Sequence, residues 1–113
     1  MASYHRIAHP TGFADAELES YERVGDRLTV KVRAWNEQPL TVVFADVIAL
    51  VDRGAWQIGD LREVVDSEPE TLRAALARQF EQPPRDHIYR VFEFVDPDDV
   101  PVLEIVASSA IAD

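Results

Sequence analysis

Three histidines, His5, His9 and His87, are the natural starting point for chemistry, and none stands in a catalytic or metal-binding pattern. His5 and His9 have the spacing of two zinc ligands on one helix face. Pro10 argues against a helix there, and no third ligand lies nearby in the chain. His87 follows Asp86 and is a candidate general base. The simpler reading is a strand-end histidine making one hydrogen bond. Ser67, Ser108 and Ser109 have no histidine set beside them for activation. With no cysteine there is no thiolate nucleophile, no disulfide and no Cys-ligated metal. The four glycines, Gly12, Gly25, Gly54 and Gly59, form neither a dinucleotide fingerprint nor a phosphate loop. The sequence therefore assigns no catalytic residue, no cofactor and no metal ligand.

The carboxylates are more informative. Asp46 interrupts the apolar run of residues 40–51. It is either a general acid of raised pKa in a pocket or, as we favour, a structural residue. The structural options are a bulge, an ion pair with Arg90 and an exit of the strand to solvent. Glu104, between Leu103 and Ile105, is expected to meet Arg90 across the sheet. Asp96, Asp98 and Asp99 superficially suggest a calcium loop, but the required glycine and terminal glutamate are missing, so a turn around Pro97 is the better account. Trp35 and Trp56 lie beside loops. They are expected to cap the core, and otherwise to form a contact surface for a partner.

Eleven basic residues against 21 acidic ones leave a net charge of −10. The bases are scattered, so direct nucleic-acid binding and docking to an anionic membrane are both disfavoured. A basic protein partner, drawn in electrostatically, fits better. The acidic surplus falls on residues 60–70, with Asp60 and Glu63, and on residues 93–99, with Arg62 the only base in either stretch. The N-terminus lacks an apolar signal region, and the longest apolar stretch is short of a membrane span. A soluble cytoplasmic protein is expected.

What positions these residues is a set of strands. A hydrophobic fraction of 47% supports a packed core, and 113 residues suit one domain, with an ordered part over about residues 12–109 and short tails. Residues 13–24 and 27–34 alternate in polarity as a hairpin. A three-residue loop (Val24, Gly25, Asp26) would set Glu17 against Arg33, Leu18 against Val32 and Glu19 against Lys31. It would thereby keep the glutamates off the apolar face. Residues 40–51 read as a central strand, and residues 56–65 as a strand kinked at Gly59. The one helix is expected from Ser67, with Ser67 and Glu70 as a capping box and Leu72, Ala75, Leu76 and Phe80 as its apolar stripe, ending at Pro83 and Pro84. Residues 86–95 and 100–107 follow as strands. The fold class is α+β: a mainly antiparallel sheet of about six strands with one helix packed on it, in the order β-β-β-β-α-β-β.

In composition alone the chain resembles the small acidic immunity proteins that neutralise basic toxins; no motif carries that resemblance. The leading expectation is a non-enzymatic interaction domain for a basic protein partner. The alternative is a small-molecule binder or minor enzyme, with a pocket between helix and sheet lined by Trp35, Phe44, Phe80, Tyr89 and Phe92 and with Asp46 or His87 as its polar group. A third is a homodimer joined through a sheet edge.

Overall fold

Every second residue from Leu28 to Ala34 and from Leu40 to Phe44 is buried, which is the signature of strands with one face on a core. A computed structural model describes residues 3–65, 67–82, 84 and 86–113. Its strands are β1 (Ser3–Arg6), β2 (Ala16–Val24), β3 (Arg27–Arg33), β4 (Pro39–Ala45), β5 (Ala49–Asp52), β6 (Gln57–Ile58) and β7 (Asp60–Val65). The helix α1 (Glu70–Gln79) follows, and then β8 (Arg90–Val95), β9 (Pro101–Ala107) and β10 (Ser109–Ala112). The strands form two antiparallel sheets, ordered β1-β7-β8-β9-β5 and β10-β4-β3-β2-β6. Their inner faces share one core, in which Phe44 meets Phe92 at 5.5 Å and Phe94 at 6.2 Å between ring centroids. Helix α1 lays Leu72, Ala75 and Leu76 on Val64, Val91 and Val106, on the outer face of the first sheet.

The class is thus α+β and mainly antiparallel, but among the described residues ten strands stand in place of six. Two expected strands each divide between the sheets. The run of residues 40–51 breaks at Asp46, whose φ of +54° turns the chain from β4 into β5 of the other sheet. The segment of residues 56–65 breaks at Gly59, where β6 pairs with β2 and β7 pairs with β8. A strand that serves two sheets must bend sharply, and these two residues absorb the bend. The expected tails contribute the other two strands: β1 pairs with β7, and β10 with β4.

The first hairpin reaches the expected pairing by another route. Its turn has two residues, not three, because Val24 faces Arg27 and Gly25 takes a φ of +61°. Glu17 still faces Arg33 and Leu18 faces Val32, because a β-bulge at Glu19 inserts the residue that the loop was expected to supply. Glu19 consequently contacts Arg33 at 3.8 Å, and Ser20 takes the place opposite Lys31. Avoiding a buried carboxylate is satisfied within the strand.

The Ser67 capping box does not form. Pro69 is the N-cap, without a side-chain cap bond, and its carbonyl accepts from the Leu72 and Arg73 amides. A capping box would need Glu68 in the helical region, which the following proline disfavours. The helix ends at Gln79, where the extended Phe80 donates its amide to the Leu76 carbonyl. The stop expected at Pro83 lies outside the described residues. Strand β8 starts at Arg90 rather than at residue 86, because the Tyr89 amide bonds to His87 Nδ1 instead of entering the ladder.

Candidate functional site

Acidic side chains gather where several turns meet. The turn before β2 sets Asp15 at a φ of 55°, the β3–β4 turn sets Glu37 at 65°, and the β8–β9 turn sets Asp99 at 62°. In that last turn the Asp96 carboxylate accepts from the amides of Asp98 at 2.8 Å and Val100 at 3.0 Å. Asp60, just past the switch at Gly59, takes Arg6 Nε at 2.7 Å. Three shallow depressions, of about 260, 100 and 220 Å³, adjoin one another through Asp15, Glu17 and Pro97. Among the described residues, their walls carry Asp15, Glu17, Glu37, Asp60, Asp96 and Asp99 against only Arg6 and Arg33. Arg33 is engaged by Glu17. Trp35 lies on this track, 65% exposed, with its indole N–H donating to the Thr11 carbonyl.

The residues read from the sequence divide between this surface and other places. Trp35, Asp60, Asp96 and Asp99 lie on the track, and Asp98 is exposed in the same turn. Trp56 is 56% exposed and precedes Gln57, which lines the track. Neither tryptophan caps the core, because the two sheets already close it with phenylalanines. Asp46 lies at the opposite end of β4, exposed, where it accepts from Ser108 Oγ at 2.6 Å. It is a corner residue and not a buried acid. Glu63 faces Arg90 at 3.6 Å. His87 sits by the helix start, with Nδ1 accepting from Tyr89 and Nε2 3.9 Å from Glu68. His5 is exposed on β1, while His9 Nδ1 accepts the Thr11 amide.

Two further expectations are corrected. The five aromatics expected in one pocket do not meet. Phe44 and Phe92 lie between the sheets, Phe80 and Tyr89 pair at 6.1 Å beside the helix, and Trp35 is at the surface. Arg90 does not reach Glu104, since it stands opposite Ala107, three residue pairs from Glu93, the residue opposite Glu104. Glu104 instead pairs with Arg53 at 2.7 Å and stands directly opposite Glu93.

Glu93 is what the sequence reading missed. Glu93 and Glu104 are 6% and 7% exposed, on the outer face of their sheet. Arg62 Nε donates to Glu93 at 3.0 Å, so the row reads Arg62, Glu93, Glu104, Arg53 across the sheet. Burial pushes the Glu93 carboxyl above its usual range, Arg62 opposes that rise, and the neighbouring Glu104 adds to it. The available signal was the repeated motif of one Glu between two apolar residues, at residues 92–94 and 103–105. With an arginine on each outer side, the pair is arranged as a structural ion chain.

Among the described residues, no group of three or more His, Asp or Glu is arranged to hold a metal ion, and no helix is long and apolar enough to cross a membrane. Comparison with known proteins finds no matching family model, no matching curated protein and no matching solved structure.

Proposed function

We propose that this protein is a non-enzymatic interaction domain that binds a basic segment of a protein partner along the acidic track. The observation that carries the reading is the continuity of the track: six carboxylates and an exposed indole on one run of surface, with two guanidiniums to offset them. Such a surface accelerates the approach of a positive partner and selects against a negative one. Trp35 supplies the flat, amphipathic anchor on which binding energy concentrates. The net charge of −10 extends the same field beyond the track.

The test uses a labelled peptide of alternating Lys and Gly, followed by fluorescence anisotropy and by the emission of Trp35 in a Trp56→Phe background. One variant neutralises the track (Asp15→Asn, Asp96→Asn, Asp99→Asn), since asparagine keeps the turn bonds and tolerates left-handed backbone. A control removes three charges elsewhere (Glu22→Gln, Asp26→Asn, Glu81→Gln). The expected result is binding that weakens about tenfold or more in the track variant and much less in the control. Equal losses in the two variants, or an unmoved Trp35 emission, overturn the reading.

A further inference from the structure

Strand β5 is the edge of its sheet, so one side of its backbone faces no partner strand. A groove of about 430 Å³ runs between this edge and α1. All four consecutive residues from Ile48 to Val51 line it. Because successive side chains of a strand point to opposite faces, it is the strand's edge that borders the groove. The helix contributes Thr71, Ala74, Ala75 and Arg78, at positions i, i+3, i+4 and i+7, which form one stripe. The two alanines keep that wall back from the strand.

The charge of this groove is opposite to that of the molecule. Of the nine arginines described, six contact a carboxylate, namely Arg6, Arg33, Arg53, Arg62, Arg73 and Arg90. Among the described residues, Arg23, Arg27 and Arg78 make no ion pair, and Arg23 and Arg78 both line this groove, which no carboxylate lines. Arg23 is held in place by donating to the carbonyls of Gly25 at 3.1 Å and Val47 at 2.9 Å.

We propose that the groove binds an extended acidic segment of a partner protein, which adds to β5 as a further strand and sets its carboxylates against Arg23 and Arg78. The edge supplies backbone donors and acceptors at strand spacing, which a peptide matches repeatedly. The guanidiniums select acidic over basic side chains. The site is separate from the acidic track and takes the opposite charge, so it stands or falls independently of that reading.

The probe is a short peptide of alternating Glu and Val, with its Lys-Val counterpart as control, titrated into the ¹⁵N-labelled protein. The expected result is that the Glu-Val peptide shifts the amides of residues 48–51 and 71–78 while the Lys-Val peptide leaves them unmoved. Arg78→Glu, on an exposed helix position, weakens the acidic peptide about tenfold, as the loss of one charge-assisted bond requires. Ala74→Trp fills the groove and abolishes binding. Retained circular dichroism shows that both variants are folded. The proposal is overturned if the shifts map elsewhere, if either folded variant binds as the parent does, or if citrate alone reproduces the shifts. Concentration-dependent shifts at the same amides without peptide also overturn it, because they would make a second copy the occupant.

Discussion

Replacing Gly59 by alanine sets a methyl group against backbone that cannot retreat. A Cβ there would lie 2.9 Å from the Asp96 carbonyl oxygen and 3.0 Å from both the Asp96 carbonyl carbon and Pro97 Cα. These atoms belong to the β8–β9 turn, which the Asp96 side chain holds through two amides. Gly59 is itself tied to that region by its 2.7 Å bond to the Val95 carbonyl. Relief therefore requires the switch between sheets to separate from the turn. Overpacking of this kind costs about 1–3 kcal/mol. With about 2.1 cal/mol/K of unfolding entropy per residue, the chain's total is about 0.24 kcal/mol/K, so a 2 kcal/mol loss lowers Tm by about 8 °C. Gly25 is the contrasting case, with nothing within 4 Å of its Cβ position and a φ of +61°. Alanine there meets only backbone strain, of about 1 kcal/mol, which Gly25→Asn largely avoids. Asparagine at residue 59 gives no such recovery, because its cost is steric. Thermal unfolding followed by circular dichroism compares the four variants. A Tm for Gly59→Ala within about 2 °C of the parent, or a Gly59→Asn variant more stable than Gly59→Ala, refutes the reasoning.

Four other substitutions test the remaining packing and electrostatics. Burial raises the Glu93 pKa above its ordinary 4.5. The folded chain therefore holds that proton more tightly than the unfolded chain, and the resulting stability is present below about pH 4.5 and lost as pH rises through the raised value. Glu93→Gln removes this dependence, so its urea midpoint gains on the parent's as pH rises; a constant difference contradicts the assignment. Phe44→Ala, which empties the meeting point of Phe92 and Phe94, costs about 3–5 kcal/mol in urea unfolding, and a loss under about 1 kcal/mol argues against the shared core. Trp35→Ala and Trp56→Ala each change stability by no more than about 0.5 kcal/mol, since both rings are mostly in water; losses near 2 kcal/mol would make them core caps after all.

Periodicity made the inner strands legible. Residues 27–34 carry a clean alternation, and β3 lies where that alternation puts it, because both of its flanks are paired and one face is buried. The stripe of Leu72, Ala75 and Leu76 was legible for the same reason at helical spacing. Changes of sheet were not legible. An apolar run through Asp46 looks the same whether the chain stays in one sheet or crosses to another, since both layers want the same residues. The tails escaped notice because an edge strand such as Ser3–Arg6 has no buried face and hence no alternation. At the candidate site, Asp60, Asp96 and Asp99 were readable as acidic surplus. Their meeting with Asp15 and Glu37 depends on loops brought together only by the packing of the two sheets.

The strand order also dictates a sequence of assembly. Strands β2, β3 and β4 are a meander, each beside its neighbour in the chain, and need no distant residue to pair. By contrast Ala49 meets Val106 and Ala45 meets Ser109, so the closure of each sheet waits for the last strands. The entropy of closing those long loops is lost before the contacts form, which slows folding and places the nucleus in the meander. A destabilising change at Val30 therefore slows folding, whereas one at Leu103 chiefly hastens unfolding. On the ribosome, the three-strand ribbon waits with its apolar face uncovered until the chain beyond residue 100 emerges.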